Sequence, residues 1–307
     1  MRVVFAGTPD TACPTLEAFI ESRHDVVAVV TRPDARAGRG RTLVASPVAT
    51  LAERHAIPVF KPVSTSDPAF LEQLAATGAE VGVIVAYGAL LRRDALDALE
   101  YGWLNLHFSV LPAWRGAAPV QRSIMAGDEV TGATVFSLVE ALDAGPVLGT
   151  ITERIREDDT AGDLLARLAT EGAGLTVDVV DHIEAGDIAA VPQPEENISY
   201  AHKLTTDDAR IDWHRPAFAI DRHVRGCTPA PGAWTTLEDL RVKIGPVTIL
   251  PESTLQPGEV AIGKREVRVG TATTDVALGD VRPHGKPTMA AADWGRGLGG
   301  RTAAVFA

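Results

Sequence analysis

Short apolar runs alternate with amphipathic segments through the first half of the chain. Residues 3–6, 26–30 and 81–86 are Val-rich runs bounded by turn residues, a pattern typical of buried parallel strands. In a segment between the first two runs, Leu16 and Phe19 share one helical face. This alternation of strand and helix predicts a doubly wound α/β domain.

Further along, the spacing indicates a long helix. Apolar residues recur at roughly helical intervals from Leu164 to Ile183, and Thr160 with Asp163 fits a capping box at the start. The Pro- and Glu-rich stretch that follows has little periodicity and is typical of a linker. We therefore expect a first domain over residues 1–189 and a linker over residues 190–205.

Beyond the linker the pattern changes to short strand-like runs separated by turns, at residues 234–237, 240–244, 247–250, 259–262, 266–269 and 276–278. Runs of this length and spacing indicate an all-β architecture. The second domain, residues 206–307, is expected to be a small β-barrel or sandwich.

Composition fits a folded chain whose charge is unevenly distributed. The 307 residues carry a net charge of −11, which argues against a protein that coats nucleic acid with its whole surface. Residues 206–307 hold 13 basic and 12 acidic residues, so nearly all of the negative charge belongs to the first domain. Inside that acidic domain, Arg32, Arg36, Arg39 and Arg41 form one basic stretch with two glycines.

The sequence also limits the cellular setting. Cys13 and Cys227 are the only cysteines, too few for a disulfide framework, and we expect both to be reduced. The longest apolar run is shorter than the ~18 residues a bilayer span needs, and the first residues resemble no targeting leader. We expect a cytoplasmic protein without membrane attachment.

The sequence contains neither of the two common glycine-rich motifs that bind nucleotide phosphates. The first strand ends at Gly7, where a dinucleotide-binding fold places three glycines, and only this one is present. The Gly- and Arg-rich stretch near Gly38 lacks the Lys-Ser/Thr pair of a phosphate-binding loop. Neither a dinucleotide enzyme nor a nucleoside-triphosphatase is favoured.

The candidate chemistry lies at Asn105, His107 and Asp143. Alternation along a strand sends Asn105 and His107 to one face, near the end of the sheet where α/β folds bind ligands. An amide that donates to a developing oxyanion, an imidazole that moves protons and a carboxylate that orients the imidazole suit acyl transfer to an amine. Taken singly, these residues also fit strand positions satisfied by backbone and an ordinary turn aspartate.

Together with their neighbours, these residues resemble a known family. Asn105-x-His107, the run from Ser109 to Gly116 and Leu142-Asp143-Ala144-Gly145 are similar to the signature of the 10-formyltetrahydrofolate-dependent formyltransferases. The resemblance implies a Rossmann-like catalytic domain in which Asn105, His107 and Asp143 are catalytic. It also implies folate contacts by the loop residues Ser109, Val110, Leu111 and Pro112.

Features outside the signature resemble one branch of that family, the methionyl-tRNA formyltransferases. They are the opening strand and turn, the arginine stretch followed by Ser46-Pro47-Val48, and a C-terminal region similar to an OB-fold-like domain. The resemblance implies 10-formyltetrahydrofolate as formyl donor, tetrahydrofolate as product and initiator methionyl-tRNA as acceptor. It assigns tRNA binding to the C-terminal domain and to Arg32, Arg36, Arg39 and Arg41; without it, a solvated charged turn would explain these arginines.

In the implied reaction, Asn105 and protonated His107 stabilise the oxyanion. His107, with Asp143 and an ordered water, moves the proton from the incoming amine to N10 of the folate. No metal is expected, and nothing in the sequence demands more than a monomer. Three alternatives stay open: a formyltransferase for a nucleotide-sugar amine, a formyltetrahydrofolate hydrolase, and an OB-type RNA-binding protein without enzyme activity. The last would leave Asn105, His107 and Asp143 without a purpose.

Overall fold

The computed structural model describes residues 1–37, 42–298 and 303–307. They form two compact units, each built from segments far apart in sequence. The first unit comprises Met1–Gly116, Val130–Arg154 and Leu165–Tyr200, and the second comprises Ala117–Glu129, Ile155–Leu164 and Ala201–Ala307. The boundaries expected from sequence, at residues 189 and 206, stay a prediction.

The first unit is built on a seven-stranded sheet with the order β5-β2-β1-β6-β7-β8-β9. Its strands are β1 (Arg2–Gly7), β2 (Asp25–Val30), β5 (Val59–Phe60), β6 (Val81–Val85), β7 (Trp103–His107), β8 (Val130–Ser137) and β9 (Val147–Arg154), and a separate hairpin joins β3 (Ala35–Ala37) to β4 (Thr42–Val44). The five neighbouring strands β5, β2, β1, β6 and β7 pair in parallel, whereas β8 pairs antiparallel with both β7 and β9. This mixed sheet confirms the predicted α/β class.

The helices of the chain are α1 (Cys13–Glu21), α2 (Pro47–Arg54), α3 (Pro68–Ala76), α4 (Arg93–Leu96), α5 (Pro119–Ala126), α6 (Ala161–Ala185), α7 (Ala217–Cys227) and α8 (Ala291–Arg296). The start of α6 is a capping box: the Thr160 hydroxyl accepts from the Asp163 N–H, and the Asp163 carboxylate accepts from the Thr160 N–H, as predicted. In the part of the chain that is described, no helix is long and apolar enough to cross a membrane.

The second unit contains two antiparallel sheets. One has the order β10-β11-β16-β17 and the other β12-β15-β14-β13-β18. Their strands are β10 (Trp234–Leu237), β11 (Leu240–Ile244), β12 (Val247–Ile249), β13 (Glu259–Ile262), β14 (Val267–Val269), β15 (Val276–Leu278), β16 (Asp280–Pro283), β17 (Met289–Ala290) and β18 (Ala303–Val305). The predicted β-rich second domain is thereby confirmed.

The core of the second unit includes α5, which lies about eighty residues before the C-terminal segment of that unit. Met125 of α5 packs against the apolar cluster formed by α7 and the strands. Gly226 of α7 allows this approach, because a Cβ there would lie 2.6 Å from Cγ of Met125. Gly127, with φ of +85°, ends α5 in the left-handed conformation that glycine adopts most easily.

Candidate active site

Strand β7 carries two polar residues to the carboxyl end of the parallel part of the sheet. Asn105 pairs with Phe136 on β8 and His107 pairs with Thr134, so the two side chains share one face, as alternation predicts. Within the described residues, the side-chain amide of half-buried Asn105 has no hydrogen-bond partner. Its N–H and C=O groups are therefore available to a ligand.

His107 is almost fully buried and its ring is held from two sides. Nε2 lies 2.9 Å from the carbonyl oxygen of Trp114, and the ring meets Phe136 edge-on at a centroid distance of 6.5 Å. Because a carbonyl can only accept, Nε2 carries the hydrogen in the neutral ring, and Nδ1 keeps its lone pair. Burial lowers the pKa of His107, opposed by the charge of Asp143 and by the bond to Trp114.

Asp143 faces the other ring nitrogen. Its Oδ2 lies 3.7 Å from Nδ1 of His107 and accepts a 2.7 Å hydrogen bond from the N–H of Gly116. At 3.7 Å the carboxylate acts on the imidazole through its charge, since a hydrogen bond needs a shorter distance. A proton gained by His107 at Nδ1 therefore appears directly opposite a negative charge.

The turn that holds Asp143 has a strict steric requirement. Asp143 itself has φ of +45°, in the left-handed region that aspartate tolerates better than most residues. Two residues later, a Cβ on Gly145 would lie 1.7 Å from the carbonyl oxygen of Ser137. The chain therefore needs glycine at this position to pass close to β8, which explains the Asp-Ala-Gly spacing seen in the sequence.

The loop from Ser109 to Pro112 follows β7 directly and is tied to β8. The Thr134 hydroxyl donates to the carbonyl of Ser109 at 2.7 Å and accepts from the N–H of Leu111 at 3.2 Å. The Ser109 hydroxyl donates to the carbonyl of Ala113, so it is already used within the loop. Val110 is half-buried and would contact a Cβ on Gly132. Folate contact by these four residues stays a prediction.

Two residues that sequence reasoning missed support this site from residues 190–205. Nε2 of Gln193 donates to the carbonyls of Asp143 and Gly145, both at 2.8 Å. The hydroxyl of Ser199 accepts from the N–H of Trp114 at 2.9 Å. Neither residue stands in a periodic pattern or a motif, so no local signal distinguishes it.

Sequence comparisons with known proteins identify the family of this chain. A sequence profile described as "Formyl transferase" matches residues 1–180, and one described as "Formyl transferase, C-terminal domain" matches residues 203–299. This chain belongs to the formyl transferase family. The first match includes Asn105, His107 and Asp143, and the second covers most of the C-terminal segment of the second unit.

Relatives inside the formyl transferase family share much of the sequence. A protein from Nocardioides sp. named methionyl-tRNA formyltransferase is 61% identical over 300 residues, which cover 97% of this chain and 95% of the relative. The match includes both units, so the likeness is not confined to the region of Asn105, His107 and Asp143.

Solved structures share the fold at lower identity. HypX from Aquifex aeolicus in complex with tetrahydrofolic acid has a TM-score of 0.66 at 19% identity, covering 97% of this chain but 47% of HypX. The sugar 3N-formyl transferase WlaRD has a TM-score of 0.69 at 14% identity, covering 94% of this chain and 99% of WlaRD. The formyl transferase fold therefore occurs with different acceptors, and the fold alone does not select one.

The predicted arginine stretch is described only in part. Arg36 is exposed on β3 and pairs with Leu43 of β4, and the N–H of half-buried Arg32 lies 3.4 Å from the Thr8 hydroxyl. Arg39 and Arg41 lie outside the described residues. The role of all four in tRNA binding stays a prediction.

A second cationic surface lies on the four-stranded sheet of the second unit. Lys243 on β11 pairs with Arg282 on β16, and the guanidinium of Arg241 lies 3.8 Å from the ring centroid of Trp234. Burial and the charges of Arg282 and Arg241 lower the pKa of Lys243, and no carboxylate opposes them. We call Arg241, Lys243 and Arg282 the basic sheet face. Sequence reasoning missed it because its charges converge only when the strands pair.

A separate titratable cluster forms around His24, Asp181 and Glu184, which are ligand types for metals. Two cations already occupy its carboxylates: the Met1 ammonium lies 2.9 Å from Glu184, and Arg23 contacts Asp181 at 2.7 Å. The cluster is therefore an ion-pair network whose charges are internally balanced.

Proposed function

We propose that this protein transfers the formyl group of 10-formyltetrahydrofolate to the α-amino group of methionine on initiator methionyl-tRNA. The catalytic part rests on one observation: buried His107 lies between a carbonyl and a carboxylate, beside the free amide of Asn105. The choice of acceptor is supported by the relative that is 61% identical and named methionyl-tRNA formyltransferase.

Asn105 is the oxyanion donor in this proposal. Its amide lies at the carboxyl end of β7, on the same face as His107 and without a partner among the described side chains. A donor that is held in place before the reaction stabilises developing negative charge without further reorganisation. The amide N–H therefore binds the formyl oxygen as the amine adds to the carbonyl carbon.

His107 is the proton carrier, and the structure refines how it works. With its pKa lowered by burial, the imidazole is neutral at the start and can accept the amine proton at Nδ1. The resulting positive ring lies opposite Asp143 and can assist Asn105 at the oxyanion. When the bond between the formyl carbon and N10 of the folate breaks, His107 gives this proton to N10 and returns to its neutral form. Asp143 thus stabilises the charged form of His107 without needing to take the proton itself.

Bound 10-formyltetrahydrofolate would supply a formyl carbon activated for transfer to an amine. The fit of the site rests on Asn105, whose unpartnered amide matches a carbonyl oxygen. We assign the folate contact to Ser109, Val110, Leu111 and Pro112, because the loop is fixed next to His107 by Thr134. Tetrahydrofolate, the ligand named for HypX, is then the product.

We assign tRNA binding to Arg32, Arg36, Arg39 and Arg41 in the first unit and to the basic sheet face in the second. Guanidinium and ammonium groups bind phosphate, and a chain of net charge −11 needs such local patches to admit a polyanion. The contact with Trp234 restricts the guanidinium of Arg241, so phosphate binding there would cost little further side-chain entropy. A cytoplasmic location and a monomeric state stay predictions of the sequence.

The deciding experiment uses purified protein, 10-formyltetrahydrofolate and two acceptors, initiator and elongator methionyl-tRNA. The proposal expects formylation confined to the initiator, and a rate about 10²–10⁴-fold lower with His107→Ala. Formyl transfer to a nucleotide-sugar amine with no transfer to either tRNA would keep the catalytic site and overturn the acceptor. Release of formate to water as the main product would indicate a hydrolase.

A further inference from the structure

The two groups that contact His107 belong to turns with unusual backbone conformations. Trp114, whose carbonyl binds Nε2, has φ of +61°, and Asp143, whose carboxylate faces Nδ1, has φ of +45°. Left-handed backbone at a residue other than glycine is unfavourable and persists only where surrounding contacts enforce it. Both turns therefore need external support if His107 is to keep its two partners.

The support comes from residues 191–199, which the sequence predicts as linker. We call this segment the strap. At its start, Val191 exchanges two backbone hydrogen bonds with Val147 of β9, at 2.7 and 2.8 Å. At its end, the Ser199 hydroxyl accepts from the N–H of Trp114, and the Ser199 carbonyl accepts from the N–H of Arg115. The strap is therefore anchored on both sides of the site.

Gln193, in the middle of the strap, uses its whole hydrogen-bonding capacity on the two turns. Nε2 donates both hydrogens, to the carbonyls of Asp143 and Gly145. Oε1 accepts from Nε of Arg115 at 3.1 Å and from Nη2 at 2.6 Å. One amide thus joins the Asp143 turn to the Trp114–Arg115 turn, and Arg115 is itself buried.

We propose that Gln193 and Ser199 are positioning residues that fix both turns and so set the tautomer of His107 and its distance from Asp143. Ser199 orients the peptide on which the Trp114 carbonyl accepts from Nε2, and Gln193 holds the Asp143 backbone in its left-handed turn. Neither side chain touches the reacting atoms. This inference rests on the proposed role of His107 as proton carrier.

The first test compares Gln193→Ala and Gln193→Glu with the exposed control Gln73→Ala on α3. Glutamate keeps two acceptor oxygens for Arg115 but cannot donate to the carbonyls of Asp143 and Gly145 when ionised. We expect both Gln193 variants to lose about 10- to 100-fold in kcat, the scale of a misplaced catalytic group, with KM for the folate little changed. Near-normal kcat in Gln193→Glu would overturn the proposal, because Gln193 would then serve only Arg115.

The second test needs no substrate. Asp143 is the charged group that raises the pKa of His107, so a turn that moves away leaves burial opposed only by the hydrogen bond to Trp114. We expect the pKa of His107, followed by NMR in isotopically labelled protein with His107→Ala to assign the signal, to fall in Gln193→Ala relative to wild type. An unchanged pKa together with a lower melting temperature would reduce Gln193 to a structural role and overturn the proposal.

Ser199→Ala covers the case in which the Gln193 variants fail to fold, because it removes one hydroxyl and leaves the strap backbone intact. We expect the ¹⁵N shifts of His107 to show a smaller fraction of the Nε2–H tautomer than in wild type; identical shifts would overturn the role of Ser199. These NMR results do not depend on the acceptor. A shift in His107 with no formylation of tRNA by the wild type would therefore retain the strap and reject the proposed function.

Discussion

His107 shows how one residue can be prepared for proton transfer by contacts that leave only one nitrogen free. The Trp114 carbonyl fixes the hydrogen on Nε2, and burial keeps the ring neutral until Nδ1 gains a proton opposite Asp143. Alternation along a strand predicts that Asn105 and His107 share a face. The approach of Asp143 could not be derived from spacing, because 35 residues that include α5 and β8 intervene, and the distance depends on how they fold.

Asn105→Ala is expected to lower kcat by roughly 10²–10³, the usual cost of losing an oxyanion donor. Because the amide makes no hydrogen bond within the described structure, the melting temperature is expected to stay close to that of wild type. Steady-state kinetics and thermal denaturation check the two parts. A large fall in stability would show that Asn105 has a structural partner instead.

His107→Ala is expected to lower kcat by about 10²–10⁴, the range for a general acid–base group. Turnover near the wild-type rate would exclude His107 as the proton carrier. The matched variant His107→Asn keeps a donor near Trp114 without a titrating ring, so it should be as inactive as alanine while folding better.

The pH dependence follows from the lowered pKa of His107. Neutral His107 accepts the proton, so kcat is lost as pH falls through that pKa, below the ~6.5 of an ordinary histidine. Asp143→Asn removes the charge that raises this pKa, so its acid limb should lie at still lower pH, beside a lower maximal rate. Titration of the acceptor amine is common to both enzymes and cancels in the comparison. An acid limb that moves to higher pH in Asp143→Asn would contradict this account.

At the scale of elements, β8 is the support on which the site is assembled. It pairs with β7 and holds the Ser109–Pro112 loop through hydrogen bonds of Thr134. Its last residue, Ser137, lies so close to Gly145 that no side chain would fit there. Strands β10 to β15 of the second unit were predicted because turns separate their short apolar runs, whereas β16, β17 and β18 were not predicted. The strap was not, because a Pro-rich stretch without periodicity leaves no trace of its long-range hydrogen bonds in the sequence.

Thr134→Val tests this support with a substitution of nearly equal shape. It leaves the Ser109 carbonyl and the Leu111 N–H without their partner in a fully buried place, which should cost about 1–3 kcal/mol in the free energy of unfolding. The loosened loop should also raise KM for 10-formyltetrahydrofolate more than KM for tRNA. Thr152→Val, exposed on β9, is the control and should change neither. An equal rise in both KM values would separate the loop from folate binding.

For the whole molecule, the distribution of charge decides how a polyanion can approach. The segments of the first unit hold 13 basic and 22 acidic residues, against 16 basic and 18 acidic residues in the rest of the chain. An RNA partner is therefore repelled by most of the first unit and attracted only where cations cluster. The basic sheet face fits this requirement among the described residues, and the arginine stretch is the cluster that the sequence predicts to fit it.

Replacement of Arg241 or of Arg282 by alanine, one at a time, is expected to weaken tRNA binding and to reduce the slope of log affinity against log salt by up to ~1 per lost phosphate contact. Formylation of a small amine acceptor should be unchanged, because neither residue belongs to the catalytic unit. Binding measured at several salt concentrations gives the slope, with Arg265→Ala in the β13–β14 turn as a charge-matched control. An unchanged slope would remove the basic sheet face from the tRNA interface.

The place of α5 in the second unit has a consequence for how the chain is synthesised. The helix emerges from the ribosome about ninety residues before α7, the neighbour against which it packs. During that interval its buried residues, Val120 and Ile124 among them, remain exposed to solvent and open to chaperones. A gene truncated after residue 189 would make this interval permanent, so the shortened product should aggregate rather than yield an isolated catalytic domain.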